Sequence, residues 1–134
     1  MNPGGLPETI LVADNEPHLR ELTRITVESP VRQVIEAADG DQAWALLKKY
    51  HPLLALLDVK MPGLTGLELV KAIRADPDLA GTRVILIAAS AHESDRDAGM
   101  AAGADFYVTK PFSPADLLGS VEAVLAAAAD PAAG

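Results

Sequence analysis

The sequence LLALLDVKMPG, at residues 53–63, decides the fold, because an apolar run leads directly into an acid and a Met-Pro-Gly turn. A short apolar run bounded by turn residues is typical of a strand that is buried on both faces. Two other segments have the same form. ILVADNE, at residues 10–16, ends in acids, and FYVTKPF, at residues 106–112, carries a lysine after its apolar run. We therefore expect acids and a lysine at the ends of three buried strands.

Helical patterns fill the intervals between five predicted strands. Apolar side chains at Ala43, Leu46, Leu47 and Tyr50 have the spacing of a helix that packs on a sheet. The segment TGLE, at residues 65–68, predicts a capping box at the start of another helix. Five alternations of strand and helix predict an α/β fold with a doubly wound parallel sheet. Among the orders that right-handed crossovers allow, the flavodoxin-like order 2-1-3-4-5 places strands 1 and 3 side by side.

The polar residues that follow the strands share one edge of this predicted sheet. Open parallel sheets bind ligands at the carboxyl ends of their strands, so Asp14, Asp58 and Lys110 should converge there. Two acids attract a divalent cation, and a lysine beside them can hold a second anion. The combination suits Mg²⁺ and a phosphoryl group carried by an aspartate.

Length and composition predict a single domain. The chain has 134 residues, of which 49% are apolar, and this is enough to fill one core. We expect the domain to cover residues 9–128, with a flexible lead at residues 1–8 and a frayed tail at residues 129–134.

The charge balance disfavours several functions. Nineteen acids against 11 lysines and arginines give a net charge of −8, which is unsuited to direct contact with nucleic acid or an anionic membrane. The absence of cysteine excludes disulfides and thiolate chemistry. With neither a signal-peptide pattern nor a membrane-length apolar stretch, the sequence predicts a cytoplasmic protein.

The chain resembles a receiver domain of bacterial two-component response regulators, of the chemotaxis-regulator type. The resemblance covers about residues 8–128. It rests on ILVADNEP at residues 10–17, DVKMPGLTG at residues 58–66 and AGADFYVTKPF at residues 102–112. It implies a protein that accepts a phosphoryl group and signals through a partner-binding face.

The resemblance implies a role for four residues. Asp58 would be the phosphoacceptor, and Lys110 would contact the phosphoryl oxygens. Pro111 would follow a cis peptide bond. Tyr107 would be the aromatic switch residue, which turns inward on activation. The phosphoryl donor would be a histidine kinase or phosphotransfer protein, and the chain itself would not be an enzyme.

The resemblance also implies a Mg²⁺ cofactor beside the phosphoacceptor. Its expected ligands are Asp14, Asp58 and the backbone carbonyl of Lys60. The family usually has a second acid after strand 1, whereas this chain has Asn15. An amide oxygen brings no charge, so we expect weakened binding of Mg²⁺. Glu16 is the nearest acid that could compensate.

A second departure from the family lies at the end of strand 4. The family has a threonine or serine there, which bonds the phosphoryl group, whereas this chain has Ala88. The usual coupling from the phosphoryl group to Tyr107 therefore lacks its hydroxyl donor. Ser90, in the following loop, is a candidate substitute, but it would have to reach the phosphoryl group by a different route.

Other functions remain open at the level of sequence. A degenerate receiver would act as a phosphorylation-independent protein-interaction module. A dehalogenase-type aspartyl phosphatase usually has a second acid two residues after its nucleophile, and Lys60 at that position argues against this class. A flavodoxin-like electron carrier would need a hydroxyl- or glycine-rich phosphate loop after strand 1.

The sequence does not name the kinase, the pathway or the output partner. Small residues on the outer face of the last helix would allow a homodimer contact, and these are Gly119, Ala123, Ala126 and Ala127.

Overall fold

The structure, a computed structural model, describes residues 8–89 and 93–129. Residues 1–7 of the expected lead, residues 130–134 of the expected tail, and Ser90 lie outside the described residues.

Five strands alternate with five helices in the described part of the chain. The strands are β1 (Glu8–Ala13), β2 (Arg32–Ala37), β3 (Leu54–Asp58), β4 (Arg83–Ala88) and β5 (Phe106–Thr109). The helices are α1 (Pro17–Val27), α2 (Gly40–Tyr50), α3 (Gly66–Ala75), α4 (Glu93–Ala102) and α5 (Pro114–Ala129).

All strand pairs are parallel, and the strand order is β2-β1-β3-β4-β5. The predicted flavodoxin-like fold is therefore confirmed. β1 begins at Glu8, which pairs with Arg32, so the sheet includes the last residue of the expected lead. Helix α5 likewise extends to Ala129, one residue into the expected tail, because its apolar and alanine-rich sequence continues the helix.

Side chains alternate between two apolar layers, as they must along a strand. On one face, residues such as Leu57 and Leu86 pack with α2 and α3. On the other face, residues such as Leu56 and Ile85 pack with α1 and α5. β3 is buried along its whole length, because it lies at the centre of the sheet with helices on both sides.

Local capping fixes where the helices begin. Thr65 and Glu68 form the predicted capping box at the start of α3. Asp39 caps α2 by accepting a bond from the Gln42 backbone N–H, as its sequence indicates. The Gln42 side chain departs from a capping box, since it accepts from the Ala38 backbone N–H, 2.8 Å away.

The loop between β3 and α3 is held close to the end of β3. Its chain turns so sharply that a Cβ atom on Gly66 would lie 2.6 Å from the Asp58 carbonyl oxygen. The Gly66 backbone N–H donates to the Val59 carbonyl over 3.1 Å. Only glycine permits this approach, and the approach fixes the backbone that carries Asp58.

Arg74 connects several elements near the amino ends of β4 and β5, at the opposite ends of the strands from Asp58. Its Nε donates to the carbonyl of Gly103 over 2.9 Å, and its Nη1 donates to the carbonyls of Ala80 and Thr82 over 2.9 and 2.6 Å. Its Nη2 donates to Asp105 Oδ2 over 2.9 Å. One side chain thus ties the end of α3 to the start of β4 and to the α4–β5 turn.

Candidate functional site

Asp58 is the last residue of β3, and its side chain faces a small polar site at the carboxyl edge of the sheet. Only 5% of the residue is exposed. Its Oδ1 accepts a bond from the backbone N–H of Lys60 over 3.1 Å, and its Oδ2 accepts from Lys110 Nζ over 3.0 Å. These two bonds orient the carboxylate, with one oxygen held by the loop and the other by a cation.

Asp14 lies beside Asp58, because β1 and β3 are neighbours in the sheet. Its Oδ1 accepts from the Glu16 backbone N–H over 2.9 Å, and its Oδ2 lies 3.5 Å from Lys110 Nζ. Burial is the largest cause of the raised pKa of the Asp14 carboxyl, and the charge of Asp58 raises it further. The bond from Glu16 and the charge of Lys110 oppose this shift. Burial therefore outweighs the crowding of like charges as a cause of the shift.

Lys110 follows β5 and brings a cation to both acids. Its backbone N–H donates to the Ala88 carbonyl over 2.7 Å, which fixes the lysine beside the end of β4. The following peptide bond, Lys110–Pro111, is cis. The structure thus brings together Asp14, Asp58 and Lys110, which the sequence places at three separate strand ends.

Asn15 and Glu16 do not supply a third acid to this site. Asn15 is exposed. Glu16 is the N-cap of α1, and its two carboxylate oxygens accept from the backbone N–H groups of His18 and Leu19 over 3.1 and 2.8 Å. These two bonds lower the pKa of the Glu16 carboxyl. Glu16 is therefore engaged in capping, and it does not compensate for the missing acid.

The oxygen donors nevertheless suit a hard cation. Two carboxylates, a backbone carbonyl and an amide oxygen are ligands that Mg²⁺ accepts, and the carboxylate pair already holds the ammonium of Lys110. Within residues 8–89 and 93–129, however, no group of three or more His, Cys, Asp or Glu side chains is placed to hold a metal ion. These residues are suitable ligands for Mg²⁺. They offer the ion less negative charge than a site with three acids would.

Ala88 and Tyr107 lie on the side of the site next to α4. Ala88 ends β4 and presents only a methyl group. Tyr107 is 8% exposed and packs in the same apolar cluster as Leu86 and Ala104. Burial raises the pKa of the Tyr107 hydroxyl, and the charge of Asp95 adds to the shift. The aromatic side chain is thus buried against this cluster in the structure.

A cavity of about 190 Å³ adjoins these residues. It is lined by apolar side chains together with Lys60 and Asp95, and both Ala88 and Tyr107 border it. Only the backbone carbonyl of Lys60 was expected at the site, and the residue also borders this cavity. The available signal was its position two residues after Asp58, in a loop whose backbone N–H bonds that carboxylate.

A larger cavity, of about 390 Å³, lies at the amino ends of β4 and β5, away from the polar site. It is lined by residues at the starts of β4 and β5, including Arg83, Asp105 and Phe106, and by the last turns of α5. The small residues on the outer face of α5, at Gly119, Ala123, Ala126 and Ala127, are exposed. Neither feature contributes to the polar site, and a homodimer contact through α5 stays a prediction.

The sheet order and the acid–acid–lysine site define a class of signalling domain, and a comparison with known families assigns the chain to it. Residues 10–122 match the response regulator receiver domain. The chain belongs to this family, as its sequence motifs indicated.

Two relatives illustrate the similarity. The chain is 36% identical over 120 residues to the response regulator GtcR of Aneurinibacillus migulanus, covering 90% of this chain and 48% of the relative. It is 36% identical over 118 residues to the phosphate regulon transcriptional regulatory protein PhoB of Pseudomonas aeruginosa, covering 88% of this chain and 52% of the relative. The chain thus spans about half the length of these curated relatives.

Solved structures agree with this assignment. The chemotaxis response regulator CheY4 of Vibrio cholerae superimposes with a TM-score of 0.82 at 30% identity, covering 88% of this chain and 98% of that chain. A Mn²⁺-bound form of the response regulator Rcp1 superimposes with a TM-score of 0.72 at 26% identity, covering 88% of this chain and 91% of that chain. Among the helices that the structure describes here, none is long and apolar enough to cross a bilayer.

Proposed function

We propose that Asp58 accepts a phosphoryl group and that the domain acts as a switch for a signalling partner, rather than as an enzyme. The observation that carries this proposal is the position of Lys110 Nζ, 3.0 Å from Asp58 Oδ2 and 3.5 Å from Asp14 Oδ2. A carboxylate that is oriented by a backbone N–H, and that lies beside a cation, can both attack phosphorus and keep the product in place.

Few groups take part in the proposed phosphoryl transfer. An oxygen of Asp58 forms a bond to phosphorus while the bond between phosphorus and the donor atom breaks, and the donor keeps the electron pair of that bond. The Lys110 ammonium contacts the Asp58 carboxylate before the transfer, and it is close enough to stabilise the negative charge of the phosphoryl oxygens afterwards. The backbone N–H of Lys60 holds the other carboxylate oxygen.

Metal ligands in this proposal are the side chains of Asp14 and Asp58, the Lys60 carbonyl and, with weakened effect, the Asn15 amide. When bound, Mg²⁺ supplies positive charge that balances the phosphoryl oxygens. The similar response regulator Rcp1 has a Mn²⁺-bound form, which supports binding of a divalent cation. The phosphoryl donor is inferred to be a histidine kinase or phosphotransfer protein in the cytoplasm.

The test is phosphorylation measured by intact mass. The wild type and Asp58→Asn would be incubated with Mg²⁺ and acetyl phosphate, a small-molecule phosphoryl donor. We expect the mass of one phosphoryl group to be added to the wild type alone, and hydroxylamine to remove it because it cleaves acyl phosphates. An equal gain by both proteins would place the phosphoryl group elsewhere. No gain by either would favour a phosphorylation-independent interaction module.

A further inference from the structure

The side chain of Lys60 is a cation without an ionic partner among the residues that the structure describes. It is exposed, and every ion pair found between described residues involves other side chains. It lines the cavity of about 190 Å³ that Ala88 also borders. Lys60 thus borders the polar site, and its ammonium would not have to leave an ion pair with another described acid to contact a group there.

The backbone of Lys60 is fixed with respect to Asp58. Its N–H donates to Asp58 Oδ1 over 3.1 Å, on the side of the carboxylate away from the oxygen that Lys110 holds. The lysine side chain is a flexible four-carbon stem that ends in three rotatable donors. The Lys60 ammonium can therefore reach a group on Asp58 from the cavity side.

The negative charge of a phosphoryl group on Asp58 would create a need for a second cation at this site. A phosphoryl group on Asp58 would add close to two negative charges to a site that already holds the carboxylate of Asp14. Lys110 approaches from the end of β5, and at the end of β4 Ala88 offers no hydroxyl donor. The phosphoryl oxygens on that side would otherwise face apolar wall and water.

We propose that the Lys60 ammonium binds the phosphoryl oxygens on the side of the site where Ala88 provides no donor. The proposal rests on Asp58 being the phosphoacceptor. It makes Lys60 a residue that binds the phosphoryl group directly, in addition to the proposed contribution of its backbone carbonyl to the metal. The Lys60 side chain, from the β3–α3 loop, would then supply the donor that Ala88 lacks.

The test measures binding of beryllofluoride, a phosphoryl mimic, in the presence of Mg²⁺. We expect Lys60→Met to bind the mimic about twofold to fivefold more weakly than the wild type, the range for an exposed contact between opposite charges. Lys60→Arg should retain most of the affinity. Lys71→Met, which removes an exposed lysine from α3, is the matched control and should bind like the wild type.

Two further readouts separate a contact from a general effect on the fold. The affinity of the wild type should fall more steeply with salt than that of Lys60→Met, since an exposed ionic contact is screened. In a double-mutant cycle, Ala88→Thr should reduce the cost of Lys60→Met, because a hydroxyl then serves the same oxygens. Unchanged thermal midpoints would establish that the variants are folded.

The outcomes distinguish this proposal from the proposed function. If the wild type binds the mimic, Asp58→Asn does not, and Lys60→Met equals the wild type, the role of Lys60 is overturned while Asp58 keeps its role. If the wild type does not bind the mimic, the proposed function falls together with the role of Lys60. Additive effects in the cycle would also overturn the proposed contact.

Discussion

Only 3% of Asp14 is exposed, and burial is the largest cause of the raised pKa of its carboxyl. A raised pKa means that the folded state binds the proton more tightly than the unfolded state. The stability that this carboxyl contributes is therefore complete below its ordinary value of 3.8, and it is lost as the pH rises through the higher folded value. The ionised carboxylate is thus a cost to stability at neutral pH.

The variant Asp14→Asn should remove that cost. The amide keeps an oxygen that can accept from the Glu16 backbone N–H, and Lys110 keeps its contact with Asp58. We expect a larger free energy of unfolding than the wild type at pH 7, with the difference shrinking as the pH falls towards the ordinary pKa of Asp. Urea denaturation at several pH values measures this. Asp97→Asn, on the exposed face of α4, is the control for loss of one carboxylate, and a pH-independent difference at Asp14 would contradict the argument.

Asn15 limits the charge that the site offers to a metal. Glu16 caps α1, so no acid near Asn15 replaces the charge that the amide lacks. We expect Asn15→Asp to bind Mg²⁺ several-fold more tightly, because a carboxylate competes better than an amide with the water around a hard cation. Calorimetry is the suitable measurement, since Trp44 lies on α2, away from the site. Equal or weaker affinity would show that residue 15 does not face the metal.

At the scale of elements, the contact between α4 and the sheet depends on Gly99. A Cβ atom there would lie 2.9 Å from Leu86 Cδ1 and 3.4 Å from Tyr107 Cδ2. The helix therefore approaches the sheet as closely as a glycine allows, and the ring of Tyr107 packs beneath it. The same closeness explains why a residue that weakens an isolated helix is found in the middle of α4.

Two glycine substitutions separate helix propensity from packing. Gly119→Ala, on α5, adds a Cβ atom that would contact nothing within 4 Å, and it should stabilise the domain by about 0.5–1 kcal/mol. Gly99→Ala gains the same propensity but overpacks the α4 contact, which costs about 1–3 kcal/mol. We expect its free energy of unfolding to be lower than that of the wild type. If urea denaturation showed equal stabilisation by both variants, α4 would not be seated tightly on Tyr107.

At the scale of the whole molecule, the parallel sheet explains why so much could be predicted. The strand runs and capping patterns predict the elements, and the order of a doubly wound sheet then places Asp14, Asp58 and Lys110 at one edge. This inference needs only the positions of strand ends, which local sequence determines.

Side-chain direction in the loops could not be predicted in the same way. Glu16 was the nearest candidate to replace an acid, but its carboxylate turns back to cap α1. Lys60 borders the cavity beside Ala88, although only its backbone carbonyl was expected at the site. The direction of the Glu16 side chain depends on contacts made in the folded chain, and residue spacing does not contain them.

The hydrogen bonds of Arg74 anchor one end of α4, the end that lies away from Asp58. Gly103, immediately after α4, is tied by its carbonyl to Arg74 over 2.9 Å, whereas the first turn of α4 lies towards the edge that carries Asp58. A helix of ten residues is about 15 Å long. Any tilt of α4 therefore pivots about its anchored end, and its first turn sweeps the widest arc. A displacement of α4 that starts beside Asp58 would therefore be largest at the first turn and would shrink towards Gly103, so the exposed surface of the first turn is the part of the helix most able to report a change at Asp58.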